Sequence, residues 1–243
     1  MGGTVLIDIE RPQLYNLFVE FFTCFSCVYG VMCMEEKEIS QAVIGRLPRY
    51  YRYLRDLKEQ GKQRISSQEL SDIMKVTASQ IRQDLNTFGG FGQQGYGYNI
   101  EYLYEEIGKI LDMDKVHNMI LVGAGNLGQA LMNYASFSIT GFCFTRAFDV
   151  SRKLQGTTIA GVQVDPASEM EAYLCSNPVD IAVIAIPRGE AQEVAAKLVA
   201  CGITAIWNFA PVDIDVPEHV TVENVHLQDS LMKLSYLASK HES

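Results

Sequence analysis

The stretch that decides the fold is Met119-Ile-Leu-Val-Gly-Ala-Gly-Asn-Leu-Gly128. A short, continuous apolar run of this kind predicts a buried parallel strand. It leads directly into a Gly-x-Gly-x-x-Gly motif and a helical segment, the context that gives the motif its meaning. The first two glycines permit a tight turn and close approach of the backbone to a pyrophosphate, and the third lets the helix pack on the strand. The stretch therefore predicts a dinucleotide-binding βαβ unit, with the helix N-terminus favouring the phosphate charge.

The segments that follow extend this unit into a doubly wound parallel sheet. Strands are predicted at 142–148, 180–187 and 205–209, with a helix at 189–201 between the last two. Alternating strands and helices indicate an α/β fold of the Rossmann type. Pro187 lies at the carboxyl end of a strand, where a nucleotide should sit, and a structural loop is the alternative.

A candidate ribose-binding residue ends the second strand. Asp149 lies 24 residues after Gly125, and an acidic residue at about this spacing hydrogen-bonds the ribose hydroxyls. A carboxylate at this position also repels a 2′-phosphate, so NAD is favoured over NADP as the cofactor. Arg146, three residues earlier, leaves some tolerance of NADP open.

The N-terminal part has the pattern of a helix-turn-helix. Apolar residues at three-and-four spacing predict a first amphipathic helix that buries Ile44, Leu47, Tyr51, Leu54 and Leu57. Capping boxes at Ser66 with Glu69 and at Thr77 with Gln80 open two further helices. Two capped helices joined by a short turn indicate a helix-turn-helix, and an αα-hairpin without a nucleic-acid partner is the alternative.

Several features favour DNA as the partner of this part. The third helix exposes polar side chains that can read base edges, namely Ser79, Gln80, Arg82, Gln83 and Asn86. Residues 88–98 are rich in glycine and aromatics, which predicts a β-hairpin wing along the phosphates, with a plain linker as the alternative. Arginines recur every third residue along one side of the first helix, at Arg46, Arg49, Arg52 and Arg55.

The distribution of charge divides the chain in the same way. The chain has a formal net charge of −9, yet residues 39–98 contain nine Lys and Arg against five Asp and Glu. Residues 99–243 contain nine against eighteen. A basic module joined to an acidic one indicates that only the first contacts a polyanion. We therefore predict a winged-helix domain at 39–98, a Rossmann domain at 99–225, and a C-terminal dimerisation helix and tail at 226–243.

The sequence offers little for catalysis or for a metal. No Ser/His/Asp or Cys/His constellation is readable, and Cys24 and Cys27 have no second pair at ligand spacing. The six cysteines imply no disulfide framework, which fits a reducing cytoplasm. The nucleotide is therefore expected to be a signal and the protein not an enzyme. Two alternatives remain, a small NAD-dependent oxidoreductase and a nucleotide- or CoA-binding module that regulates a protein partner.

Both ends of the chain lie outside the predicted domain cores. Residues 14–33 are apolar over about a membrane-spanning length but are interrupted by Glu20, so a non-native or unstructured extension over 1–38 is favoured over a membrane anchor. The last helix has one apolar stripe that must be buried, on its own domain or on a partner subunit. This stripe comprises Leu227, Leu231, Leu234, Leu237 and Ala238.

The motifs together resemble the Rex family of redox-sensing transcriptional repressors. The matching segments are 47–54, 66–70, 80–85, 95–98, 123–128, 147–150, 208–211 and 222–225. The resemblance implies a homodimer in which the C-terminal helix is exchanged between protomers. It also implies a repressor bound to palindromic operator DNA when NADH is low and released when NADH binds.

The resemblance assigns roles to individual residues. It implies that the pyrophosphate is held by Gly123, Gly125, Asn126, Leu127 and Gly128, and the ribose by Asp149. Tyr134 is expected beside the nicotinamide, and Arg52 in a pair across the dimer, so that Arg52, Tyr134 and His226 are candidate switch residues. The expected DNA contacts are Arg46, Arg49, Ser66, Thr77, Ser79, Gln80, Arg82, Gln83, Gln93, Gln94, Tyr96 and Tyr98.

This chain departs from the family pattern at several of these positions. Gln83, Gln93 and Gln94 stand where relatives often have Lys or Arg, which predicts fewer phosphate contacts and a shallower salt dependence. His226 and Leu227 stand where some relatives have Asp-Phe. This change removes the aspartate that the resemblance implies as the partner of Arg52 across the dimer, and it predicts a sensitivity to pH, because histidine titrates near neutrality.

Overall fold

A computed structural model describes residues 40–87, 92–93 and 96–240. The predicted extension at 1–38, Gln94 and the side chain of Gln93 lie outside the described residues. The chain divides into two compact units. The first comprises the described residues up to Arg49 together with Arg64–Asn99, and the second comprises Tyr50–Gln63 together with residues from Ile100 onward.

The first unit contains a helix-turn-helix and a small antiparallel sheet. Its helices are α1 (Gln41–Ile44), the start of α2 (Leu47–Glu59), α3 (Ser67–Met74) and α4 (Ala78–Thr87). Its strands, in the spatial order β1-β3-β2, are β1 (Arg64–Ile65), β2 (Gly92–Gln93) and β3 (Gly97–Asn99). The antiparallel pairing of β2 with β3 is the hairpin that the glycine- and aromatic-rich segment predicts.

The buried side of the first helix differs by one position from the prediction. Tyr50 is fully buried, whereas Tyr51 is only partly buried and Ile44 is 39% exposed. The reason is a break in the helix, since the chain turns at Gly45 and Arg46 between α1 and α2. Ile44 therefore belongs to a separate short helix, and the buried positions of α2 are Leu47, Tyr50, Leu54 and Leu57.

The two predicted capping boxes have different outcomes. Ser66 and Glu69 form the complete box, with the Ser66 hydroxyl accepting from the Glu69 N–H and the Glu69 carboxylate accepting from the Ser66 N–H. Thr77 accepts from the Gln80 N–H at 3.1 Å, but the Gln80 side chain turns away to Asp84. The second box is therefore half-formed, because the Gln80 side chain donates to a buried carboxylate instead of accepting from the Thr77 N–H.

The second unit is built on a seven-stranded sheet of Rossmann topology. Its spatial order is β10-β9-β8-β4-β5-β7-β6, parallel except for β6 beside β7. The strands are β4 (His117–Val122), β5 (Phe142–Asp149), β6 (Thr158–Ile159), β7 (Val162–Pro166), β8 (Ile181–Ile184), β9 (Ala205–Asn208) and β10 (Thr221–Asn224). The strand order reverses between β4 and β8, which is where such sheets bind nucleotides. The predicted doubly wound α/β fold is confirmed.

Helices cover the two faces of this sheet unequally. The helices of the second unit are α5 (Ile100–Ile110), α6 (Asn126–Met132), α7 (Ser136–Ile139), α8 (Met170–Ser176), α9 (Arg188–Ala200) and α10 (Leu227–Ser239). On one face, α8 and α9 pack over the strands in a continuous core. On the other face, α6 packs over the centre, and an apolar groove of about 430 Å³ remains open along β8, β9 and β10.

Candidate functional site

The glycine-rich loop after β4 has a shape that only glycine allows at two of its three positions. Gly123 has φ +98°, and a Cβ there would lie 2.5 Å from the carbonyl oxygen of Ala185, so the loops after β4 and β8 lie side by side. A Cβ on Gly128 would overlap the carbonyl oxygen of Gly123. At Gly125 the opposite holds, because a Cβ would meet nothing within 4 Å. The loop therefore has open space above Gly125, where the pyrophosphate is predicted.

Helix α6 begins at this loop and presents its N-terminal end. Gly125 is the N-cap, so the backbone N–H groups of Asn126 and Leu127 lie in the first turn, where an α-helix has no internal acceptors. Gln129 ties the loop to the helix, since its backbone N–H donates to Gly125 and its side-chain amide donates to Ala124, both at 2.9 Å. The arrangement suits an anion, because the helix dipole and orientated N–H groups act together.

Asp149 lies beside the same loop. One oxygen of its carboxylate accepts from the Ala124 N–H and the other from the Ser151 N–H, each at 2.7 Å. Each oxygen retains further acceptor capacity for a ribose hydroxyl, because an ionised carboxylate offers about four lone-pair sites. Arg146 is occupied elsewhere: its guanidinium lies 3.5 Å from Asp165 and 5.2 Å from the ring centre of Tyr173 in helix α8. The structure therefore gives no support to a role of Arg146 in tolerating NADP.

A ladder of aromatic rings leads away from Tyr134. Tyr134 is 57% exposed and contacts Phe137 edge-to-face, with ring centres 4.9 Å apart. Phe137 in turn contacts Trp207 at 5.6 Å, and Trp207 contacts Phe209 at 4.5 Å. Sequence patterns indicated Tyr134 alone, because the other rings come from segments far apart in the chain. Pro187 is the exposed N-cap residue of α9, three residues after the end of β8.

The recognition helix α4 presents most of the polar side chains predicted for it. Ser79, Arg82 and Gln83 are exposed, as are Asn86 and the cap residue Thr77. Arg82 donates to the Ser67 hydroxyl at 3.0 Å. In the hairpin, Tyr96 is 71% exposed and Tyr98 only 8%. Tyr98 is therefore a core residue of the first unit, whereas the resemblance implied that it contacts DNA.

Arg46 and Arg49, which were predicted as DNA contacts, have partners within the first unit. Arg46 forms two hydrogen bonds of 2.7 Å with the carboxylate of Asp84 in α4. Arg49 donates to the backbone carbonyl of Met74 at 2.8 Å. The regular spacing of arginines indicated a charged surface, but it gave no sign of Asp84, whose burial within α4 was missed.

The three candidate switch residues have separate neighbours in this chain. The Arg52 guanidinium lies 5.3 Å from the ring centre of Tyr53, and Tyr134 lies on the aromatic ladder. Nε2 of His226 lies 3.2 Å from a carboxylate oxygen of Asp213. His226 is also the N-cap residue of α10, so this contact lies at the base of the C-terminal helix.

Two kinds of site are absent from the described part of the chain. Within residues 40–87, 92–93 and 96–240, no group of three or more His, Cys, Asp or Glu is arranged to hold a metal ion. No helix in the same ranges is long and apolar enough to cross a membrane. The apolar stretch at 14–33 lies outside them.

Comparisons with known proteins assign both parts of the chain. A family model described as the N-terminus of a putative DNA-binding protein matches residues 38–86, and a CoA binding domain model matches residues 114–212. The redox-sensing transcriptional repressor Rex of Clostridioides difficile is 56% identical over 201 residues, which cover 83% of this chain and 96% of the relative. The protein of the same name from Clostridium beijerinckii is 53% identical, covering 86% of this chain and 99% of the relative.

The chain belongs to the Rex family. Its relatives are transcriptional repressors, which confirms the prediction of a regulator that is not an enzyme. Solved structures agree with the Rex fold. A Rex-family repressor called RSP, in complex with β-NAD+ and operator DNA, matches with a TM-score of 0.80 and 53% identity over 84% of this chain and 94% of that one. RSP in complex with β-NADH matches with a TM-score of 0.78, 50% identity, and coverage of 85% and 97%.

Proposed function

We propose that this chain is a cytoplasmic repressor that binds operator DNA when NADH is low and leaves it when NADH binds. The observation that supports this most directly is that one chain contains both a helix-turn-helix with a hairpin and a glycine-rich loop that is hydrogen-bonded to Asp149. A Rex-family relative with the same two parts was solved with β-NAD+ and operator DNA and with β-NADH. Operator DNA as the partner supports the cytoplasmic location.

The nucleotide fits the residues at the loop after β4. The pyrophosphate would lie in the open space over Gly125, against the N–H groups of Asn126 and Leu127. Asp149 would accept from the ribose hydroxyls and disfavour a 2′-phosphate by charge repulsion. Tyr134, exposed at the start of the aromatic ladder, would pack beside the nicotinamide. When bound, NADH supplies no reaction here; its binding energy serves as the signal.

DNA would be held by the exposed side of the first unit. We propose that α4 enters the major groove, with Ser79, Arg82 and Gln83 facing base edges. The hairpin with Tyr96 would lie along the backbone, and the helix N-termini capped by Ser66 and Thr77 would face phosphates. Arg46 and Gln80 join these contacts less directly, because both side chains are bonded to Asp84.

We propose a homodimer in which the C-terminal helix is exchanged. No residue of α10 is buried in the single chain, although Leu231, Leu234 and Leu237 are apolar and 46–66% exposed. The groove along β8, β9 and β10 is likewise uncovered and apolar. An isolated helix of this length is marginal in water, so its apolar side must be buried against another surface. A twofold dimer would also place two α4 helices on the two halves of a palindromic operator.

The regulation would be a population shift between two dimer geometries, one of which has the half-site spacing of the operator. NADH and DNA must then disfavour each other by the same coupling free energy, typically about 1–3 kcal/mol. NAD+ would occupy the same site with a smaller preference between the geometries, because only differential affinity shifts an equilibrium. Arg52, Tyr134 and His226 are the residues we propose to respond to the change.

A titration of the complex tests this function. The purified full chain is bound to a fluorescent palindromic duplex selected from a random pool, and NADH or NAD+ is then added. Release by NADH at far lower concentration than by NAD+ is the expected result. A duplex that neither nucleotide releases would leave a repressor without redox sensing. Turnover of NADH with an aldehyde or hydroxy acid, without specific DNA binding, would favour an oxidoreductase instead.

A further inference from the structure

The recognition helix contains a fully buried carboxylate. Asp84 in α4 is 0% exposed, and its oxygens accept from Nε and Nη2 of Arg46 at 2.7 Å each and from the Gln80 side-chain amide at 2.8 Å. A buried charge is costly unless it is paired and hydrogen-bonded. Since α4 is amphipathic and short, an acid on its buried side needs a reason beyond solubility.

The partners of Asp84 show what the carboxylate holds. Arg46 lies 38 residues earlier, in the turn just before α2, and its planar fork meets both carboxylate oxygens. A two-point contact of this kind restricts orientation as well as distance. Arg49, one turn further, donates to the Met74 carbonyl at the end of α3. Two arginines from one segment therefore hold both helices of the helix-turn-helix.

We infer that Arg46 and Asp84 are positioning residues that set the orientation of α4, and that Arg46 acts through Asp84 and not as a phosphate contact. The inference rests on the proposed DNA binding and refines it. Ser79, Arg82 and Gln83 lie on the exposed side of α4, so a change in its angle moves all three relative to the bases. Base contacts depend on such geometry, whereas contacts with the phosphate charge tolerate small shifts.

The two possible roles of Arg46 have different signatures in solution. A cation that neutralises one phosphate contributes about 0.9 to the slope of log K against log salt, and lysine can replace arginine there as a point charge. A positioning arginine leaves the slope unchanged, and lysine cannot replace its two-point contact. Arg46→Lys therefore separates the roles while preserving the charge.

The experiment compares Arg46→Lys and Asp84→Asn with the wild-type full chain, and it adds Arg46→Gln for the salt slope alone. Each protein is titrated by fluorescence anisotropy against the operator and a scrambled duplex at several salt concentrations. Asp72→Asn is the matched control, because Asp72 is an exposed acid of α3 and its loss changes the net charge as Asp84→Asn does. Circular dichroism and NADH binding report the folding of each variant.

The inference expects the operator-to-scrambled affinity ratio to fall about tenfold in both variants, comparable to the loss of one good base contact. It expects an unchanged salt slope and a ratio for Asp72→Asn within about twofold of the wild type. Wild-type affinity in Arg46→Lys, or a slope lowered by about 0.9 in Arg46→Gln, would make Arg46 a phosphate contact and overturn it.

Three further outcomes also decide the matter. If Arg46→Lys loses its helical signal together with operator and scrambled binding, the pair merely stabilises the unit and the positioning role is wrong. If the wild type prefers the operator no more than the scrambled duplex, the proposed function itself fails. Wild-type specificity with both variants unchanged would refute the positioning role alone.

Discussion

Replacing Gly125 and Gly128 separately by alanine should show that Gly125 is needed for nucleotide binding and Gly128 for stability of the fold. Gly125 has φ −67° and ψ −168°, which alanine adopts freely, and an added Cβ meets nothing within 4 Å. Substitutions of this kind stabilise a protein by about 0.4–1 kcal/mol through the unfolded state. The added methyl group would occupy the space predicted for the pyrophosphate. Loss of one charge-assisted hydrogen bond there costs about 1.5–3 kcal/mol, so NADH affinity should fall roughly 10–100-fold.

Gly128→Ala should have the opposite profile. Its Cβ would overlap the Gly123 carbonyl oxygen and lie 2.9 Å from a methyl carbon of Leu121. Because the nearest atom belongs to the backbone, the cost should reach about 3 kcal/mol, of which helix propensity returns about 1 kcal/mol. The net loss of about 2 kcal/mol corresponds to a fall in Tm of roughly 4–8 °C for a chain of this size.

Thermal denaturation without ligand and calorimetric titration with NADH measure the two effects on the same samples. The expected pair is an unchanged or raised Tm with weak NADH binding in Gly125→Ala, and a lowered Tm in Gly128→Ala. Wild-type NADH affinity in Gly125→Ala would refute the placement of the pyrophosphate over this loop. A Tm that falls equally in both variants would show that the space at Gly125 is packed like that at Gly128 and is not open for a ligand.

Three further predictions follow from the same structure. Asp149→Asn should weaken NADH binding and narrow the preference for NADH over NADPH, because the carboxylate charge that repels a 2′-phosphate is lost. Calorimetric titration with both nucleotides measures this, and an unchanged ratio of the NADH and NADPH affinities would place Asp149 away from the ribose. The double variant Leu231→Glu, Leu234→Glu should convert the dimer to a monomer in light scattering, whereas Lys233→Glu on the same exposed helix should leave the dimer intact. A stable dimer of the double variant would exclude α10 from the interface. Burial raises the pKa of the Cys201 thiol, so less of it is present as the thiolate near pH 8. Iodoacetamide should therefore modify the exposed Cys175 faster than Cys201, and equal rates in peptide mass mapping would contradict this.

The nucleotide half of the site was readable from the sequence because its parts are close together in the chain. The strand, the glycine motif and α6 follow one another within residues 117–132, and the distance to Asp149 is the length of one βαβ unit. The side of the sheet on which Arg146 lies was not readable. Arg146 lies only three positions before Asp149, yet it contacts Asp165 and Tyr173 on the face covered by α8.

In the DNA-binding half, the helices and strands were predicted more accurately than the roles of individual residues. The Ser66–Glu69 box and the hairpin strands formed where local patterns indicated them. The arginine stripe indicated a polyanion surface, but Arg46 is bonded to Asp84, 38 residues away. Periodicity predicts on which side of a helix a residue lies, but it does not predict which partner a charged side chain contacts.

The sequence by itself determined the two folds, the glycine-rich loop with Asp149, and membership of the Rex family, because these depend on spacing within segments of a few tens of residues. Only the tertiary structure decided that Asp84 is a buried hub for Arg46 and Gln80, and that rings from Phe137, Trp207 and Phe209 form one ladder. The physical reason is that burial of a charge or a ring is a property of the assembled unit. Its partners are chosen by proximity in space, which no spacing along the chain specifies.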